Sequence, residues 1–61
     1  MIEYEYTIYT RCLIEKNPSW DCMLSSFGSS HEALTWLMSC YQANADFWND
    51  IEVKIVREIK K

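Results

Sequence analysis

Residues 29–41 carry the sequence SSHEALTWLMSCY, and this stretch decides the fold because it is the long segment with helical periodicity. Ser29, followed three residues later by Glu32, is the pattern of a capping box at a helix start. Behind it, apolar side chains recur at intervals of three and four residues: Leu34, Leu37, Met38 and Tyr41. The pattern predicts an amphipathic helix whose apolar stripe faces the protein core.

Trp36 lies in the same segment, but steps of about 100° per residue place it nearly opposite Leu34. Cys40 lies beside it, and Phe47 follows shortly after the helix. The helix therefore has a second apolar side. Its indole either folds over a neighbouring strand edge or loop, or it contacts another chain. We favour the second interpretation and expect Trp36 to point away from the core.

Segments with strand periodicity lie on both sides of the helix. Residues 2–13 alternate apolar and polar side chains, and residues 20–27 follow a turn that contains Pro18. Residues 51–59 alternate again, with apolar residues on one face and charged residues on the other. Val56 and Arg57 interrupt this alternation, which predicts either a bulge near Val56 or a place for Arg57 at the sheet rim.

The order strand, strand, helix, strand predicts an α+β fold formed by one domain, residues 1–61. A right-handed crossover through the helix places the third strand beside the first, so a three-stranded antiparallel sheet has the order 2-1-3. One helix packs on one face of this ββαβ sheet. The expected core lies between these two layers: Tyr4, Tyr6, Ile8, Leu24, Leu34, Leu37, Met38, Tyr41, Val53 and Ile55.

Composition excludes several classes of function. The net charge of -3 opposes the phosphate neutralisation that nucleic-acid binding needs. No stretch approaches the roughly 18 apolar residues of a membrane span, and the N-terminus lacks the apolar run of a secretory signal. The three cysteines lack close CxxC spacing, which favours reduced thiols in a cytoplasmic protein.

Catalytic and metal-binding patterns are weak. His31 is the single histidine, and its predicted place in the first helical turn suits a solvated residue better than a general base. Cys12, Cys22, His31 and Cys40 have the chemistry of zinc ligands, but separations of nine or ten residues lack the paired spacing of a zinc knuckle. We expect no catalytic activity and no cofactor.

In size and element order the chain resembles the small proteins that bacteriophages use against host machinery. The acidic first strand, the hairpin, the SSHEALTWLMSCY helix and the closing strand IEVKIVREI are similar in order to the phage inhibitors of uracil-DNA glycosylase, which are homodimeric DNA mimics. The resemblance implies a stoichiometric binder of a host or defence protein and carries over no site residue. Basic side chains near the acidic strand, among them Lys54 and Arg57, argue against DNA mimicry.

The sequence thus predicts a small protein-binding module that forms a homodimer and inhibits or modulates a host or defence protein. The expected contact surface comprises five residues: Trp36, Cys40, Phe47, Trp48 and Tyr9. Two alternatives stay open. The chain could be a structural or assembly subunit of a larger complex, or a metal-binding module that uses its cysteines and histidine.

Overall fold

The computed structural model describes residues 2–60 of the chain. Its elements follow in the order β1 (Tyr4–Cys12), β2 (Asp21–Phe27), α1 (Ser30–Ala43), a short 3-10 helix (Ala45–Trp48) and β3 (Ile51–Ile59). The three strands form one antiparallel sheet in the order β2-β1-β3. The predicted ββαβ topology is therefore confirmed.

The two strand pairs differ in regularity. β1 and β3 pair over nine consecutive positions, from Tyr4 opposite Ile59 to Cys12 opposite Ile51, with no interruption. The predicted bulge near Val56 is therefore wrong. The irregularities lie in β2, whose pairing with β1 shifts twice and whose Ser26 has a φ of 74°. A bulge raises the twist of its own strand, so β2 is the irregular strand of the sheet.

The helix begins with the predicted hydrogen bond. The Ser29 hydroxyl accepts from the backbone N–H of Glu32 at 3.1 Å. The Glu32 carboxylate reaches back one residue further than in a capping box and accepts from the backbone N–H of Gly28 at 3.1 Å. Both bonds satisfy backbone donors that a helix start would otherwise leave unpaired, which explains why the helix starts here.

The orientation of α1 differs from the prediction. Ala33 is fully buried and faces the sheet, whereas Leu34, Met38 and Tyr41 are 47%, 55% and 55% exposed. The small Ala33 side chain lets the helix approach the sheet closely, and Trp36 turns towards β2 instead of towards solvent. The predicted core placement of Leu34, Met38 and Tyr41 is therefore wrong, whereas Leu37 of the same stripe is half-buried.

Few side chains of residues 2–60 are buried. The buried apolar ones are Ile8, Ala33 and Trp48, and the buried polar one is Thr7. Tyr4 and Leu24, both expected in the core, are exposed, while the remaining expected sheet residues are half-buried or, like Ile8, buried. The Cα trace measures 41 × 27 × 11 Å, so the molecule is flat. The helix covers only part of one sheet face.

Candidate protein-binding site

The side of α1 that lies towards β3 carries three large exposed apolar side chains. Leu34, Met38 and Tyr41 lie at helical intervals of four and three residues and form what we call the α1 flank. Since β3 is an outer strand of the sheet, no further strand among residues 2–60 lies beneath this flank. Sequence periodicity predicts that these residues share one side of the helix, but the structure places that side outside the core.

An open groove of about 480 Å³ lies between the α1 flank and β3. We call it the β3 groove. Its lining is apolar except for Glu52 and consists otherwise of Leu37, Met38, Tyr41, Trp48, Ile51 and Val53. Trp48 is only 9% exposed, so its indole forms part of the core. An apolar recess of this size suits side chains of another polypeptide or another apolar ligand.

The structure brings only three of the five residues predicted for the interface into one depression. Trp36 is half-buried, and its ring lies 6.0 Å from the Phe27 ring at 54°. The predicted outward placement of Trp36 is therefore wrong, because Phe27 at the end of β2 offers it an aromatic partner within the chain. The alternative that the indole folds over a neighbouring strand applies.

Three of the predicted interface residues lie together on the helix side of the molecule. Cys40, Phe47 and Trp48 line a smaller depression of about 300 Å³ together with Met23 of β2. Phe47 is exposed and meets the Trp48 ring edge-on at 5.0 Å. Trp48 belongs to the core rather than the surface. Cys40 and Phe47 thus border the helix side of the molecule, on the flank nearer β2.

The sheet face away from α1 is covered by polar and aromatic side chains of the chain itself. The Trp20 ring lies between two cations, with the Arg11 guanidinium 4.6 Å and the Lys54 ammonium 4.3 Å from its centroid. Arg11 also forms an ion pair with Glu52. Cation–π contacts of this kind stabilise exposed sites by about 0.5–1 kcal/mol each. This face therefore tolerates water without a second layer.

Tyr9 lies on this polar face, opposite Lys54, and not near the other predicted interface residues. Its hydroxyl donates a hydrogen bond of 2.7 Å to the Glu58 carboxylate. That hydrogen bond raises the pKa of the Tyr9 phenol, and desolvation and the neighbouring negative charges of Glu58, Cys22 and Glu5 raise it further. Tyr9 is thus engaged within the chain.

The residues considered for metal or redox chemistry lie apart. Cys12, Cys22 and Cys40 are free thiols, and His31 is exposed at the start of α1. Across residues 2–60, no three side chains of the types His, Cys, Asp and Glu gather closely enough to hold a metal ion. The four-ligand arrangement considered for zinc is therefore not formed.

A bilayer-spanning helix is likewise missing from the part of the chain that the structure describes, since none is both long and apolar enough. Comparisons with protein-family models, with curated proteins and with solved structures gave no match to this chain. The resemblance to phage inhibitors consequently stays a prediction.

Proposed function

We propose that the chain is a small, non-catalytic protein-binding module and that the α1 flank and the β3 groove contact another polypeptide. The observation that carries this proposal is the position of three large exposed apolar side chains beside an apolar recess. Contiguous apolar surface of this kind is typical of interaction sites. On the sheet face away from α1, in contrast, cations of the same chain lie against the Trp20 ring.

The accessible surface of the isolated chain supports the same conclusion. The chain exposes 4782 Å². A compact monomer of its 7.3 kDa mass would expose about 4,200 Å² by the usual scaling of surface with mass. The excess, roughly 600 Å², approaches the ~800 Å² that each partner contributes to a standard protein interface. A partner of ordinary size would therefore bring the surface to a normal value.

Within this class we favour a stoichiometric inhibitor or modulator of a host or defence protein over an assembly subunit. This narrower proposal depends on the resemblance in size and element order to phage inhibitor proteins. The unformed cysteine and histidine cluster removes the geometric support for a metal-binding module. Identification of a bound protein in host extract would separate an inhibitor from an assembly subunit.

Charged substitutions in the α1 flank test the proposed surface. Leu34→Asp and Met38→Asp place a carboxylate where a partner would have to desolvate it, so we expect loss of self-association and of captured partners. Ile14→Asp is the matched control, because Ile14 is 75% exposed in the turn between β1 and β2. Light scattering and affinity capture measure the interactions, and circular dichroism verifies the fold.

The control variant should keep every interaction of the parent chain. The proposal fails when folded flank variants keep them as well, or when the parent chain binds neither itself nor any other protein.

A further inference from the structure

We propose, building on the protein-binding function above, that the partner at this surface is a second copy of the chain. The two copies pair antiparallel through the outer edges of their β3 strands. Ile59 of each copy then enters the β3 groove of the other. The result is a continuous six-stranded antiparallel sheet with both helices on one face.

The outer edge of β3 has unused pairing capacity. The Lys60 N–H donates to the Glu3 carbonyl and the Asp50 carbonyl accepts from the Leu13 N–H, each at 2.8 Å. Backbone groups alternate in direction along a strand, so even-numbered residues of β3 pair with β1 and odd-numbered residues point to the outer edge. A regular, nine-residue row of this kind is a template for a further strand.

Charge pairing selects one register for two β3 strands. The register centred on Val56 sets Val56 opposite its own copy and brings opposite charges together on the polar face, with Lys54 opposite Glu58 and Glu52 opposite Lys60. It pairs odd-numbered residues with odd-numbered residues, as the free backbone groups require. These charge pairs fall at positions without hydrogen bonds, where opposite side chains approach most closely.

Neighbouring registers oppose like charges. A centre at Ile55 would set Glu52 against Glu58, and a centre at Lys54 would set that lysine against its own copy. A centre at Arg57 would oppose two arginines and also Lys54 with Lys60. Like charges directly across a strand pair destabilise it. The centre at Val56 is therefore the long-overlap register in which these charges complement one another.

The same register fills the β3 groove. It sets Ile59 of the second copy opposite Val53, on the sheet face that α1 covers, and Val53 lines the groove. Ile59 is 60% exposed in the single chain and lies opposite Tyr4 at the end of β3. The pairing therefore buries Ile59 of each copy and fills the β3 groove of the other copy with it.

The symmetry of the pairing is consistent with the exposed flank. A two-fold axis midway between the two Val56 residues, normal to the sheet, keeps both helices on the same face and turns each α1 flank towards the dimer interface. The surface excess of roughly 600 Å² per chain is of the size that such an isologous interface removes. A second copy would thus pair with the free edge of β3, fill the β3 groove and cover the α1 flank.

Exchange of charges tests the register directly. Lys54→Glu opposes two glutamates twice in its own dimer, and Glu58→Lys opposes two lysines twice, so each variant alone should dimerise about tenfold more weakly. A one-to-one mixture restores both pairs as Glu with Lys and Lys with Glu. We expect the mixed dimer to regain the affinity of the parent chain in analytical ultracentrifugation.

Substitution at Ile59 tests occupation of the groove. Ile59→Asp should weaken the dimer about tenfold or more, since a carboxylate would have to enter an apolar recess. Ile14→Asp provides the matched control and should leave the dimer unchanged. Circular dichroism of each variant separates lost association from lost folding.

A parent chain that is monomeric up to its solubility limit overturns the second copy as partner. If that monomer still binds another protein through the α1 flank, the proposed function stands while this inference falls. Single charge variants that dimerise like the parent, or a mixture without recovery, overturn the register.

Discussion

The two outer strands of the sheet, β2 and β3, differ in length and in the regularity of their pairing with β1. β2 has seven residues, two shifts in its pairing with β1, and Ser26 in the left-handed region of φ. β3 has nine residues in unbroken register and nothing among residues 2–60 that pairs with its outer side. Bulges and short strands prevent edge-to-edge association, whereas a long regular edge permits it.

The sides of the helix show the same contrast. Towards β2, Trp36 packs on Phe27, and the aromatic ring finds its partner within the chain. Towards β3, Met38 and Tyr41 stay exposed above an apolar groove. The Trp36 ring thus has a partner within the chain, whereas the apolar side chains above β3 stay exposed and belong to the proposed interaction surface.

Proline at adjacent positions of β3 should give the largest effect and would separate the inner from the outer row of backbone groups. Val56→Pro removes an N–H that points to β1 and leaves its partner carbonyl in β1 unpaired, so we expect the free energy of unfolding to fall by about 1–3 kcal/mol or more and the chain to unfold. Arg57→Pro removes an N–H at the free edge, so the monomer should fold while self-association is lost. Urea unfolding and light scattering measure both.

Equal destabilisation by the two prolines would contradict the assignment of inner and outer rows. Arg57 also lies 4.6 Å over the Tyr4 ring, so Arg57→Ala is needed as the control for the lost cation–π contact.

Thr7 lies in β1, the central strand, which pairs with both outer strands. Substitutions there should change the free energy of unfolding less than Val56→Pro. The Thr7 side chain is 1% exposed, and its Oγ1 has no hydrogen-bond partner in the described structure. Thr7→Val removes a buried unpaired hydroxyl at nearly constant volume and should raise the free energy of unfolding by about 1 kcal/mol. Thr7→Ser keeps the hydroxyl and loses a methyl group, so it should cost about 1 kcal/mol.

Denaturant unfolding of the two Thr7 variants gives the answer. A Thr7→Val protein less stable than the parent would show that the hydroxyl is satisfied, for instance by water.

Glycine in place of Ser26, at the β2 bulge, should have a smaller effect on stability. It tests whether the backbone of the irregular outer strand is strained at this residue. Ser26 has a φ of 74°, which an L-residue adopts at a cost of about 1–2 kcal/mol. Ser26→Gly relieves that cost but adds backbone entropy and removes the 3.0 Å hydrogen bond to Glu5, so we expect a net gain of about 0.5 kcal/mol.

Ser25→Gly is the matched control, since Ser25 is not among the described residues with positive φ. It should lose about 0.5–1 kcal/mol in thermal unfolding. A loss of similar size at Ser26 would argue against strain at the bulge.

The smallest effect concerns the polar face at high pH. The hydrogen bond to Glu58 raises the pKa of Tyr9 above its usual value near 10. The folded state therefore favours the neutral phenol, and the stability that Tyr9 contributes is present below pH ~10 and is lost as pH rises through the folded pKa. The difference in alkaline absorbance between the parent and Tyr9→Phe isolates this titration.

Glu58→Gln should move the Tyr9 titration back towards its ordinary range, because it removes the carboxylate that accepts the hydrogen bond. An unchanged midpoint in that variant would show that burial, and not Glu58, sets the shift.

Much of the fold could be predicted from local pattern. Ser29 and Glu32 identified the helix start because a capping side chain and the backbone donors that it satisfies are neighbours in sequence. Alternation identified the strands, and the handedness of the crossover gave their order. The bulges in β2 carried no such signal, since neither Met23 nor Ser26 is a residue type that demands one.

The candidate site was predicted less well. The helix has two apolar sides, and periodicity groups residues on a side without telling which side packs inwards. Two contacts decide which side of the helix packs on the sheet. Ala33 is small enough to be buried there, and Phe27 provides a ring contact for Trp36. Periodicity consequently predicts core positions for Leu34, Met38 and Tyr41, whereas the structure leaves these side chains exposed.

The sequence alone determined the number and order of the strands and the position of the α-helix, because capping, alternation and turn chemistry act between residues close together in the chain. The tertiary structure decided which helix side is buried, which outer strand is regular and where the apolar groove opens. These properties depend on the fit between side chains far apart in sequence, such as Ala33 against the sheet and Trp36 against Phe27. Packing between such distant residues is set by shape and volume, which a linear pattern does not contain.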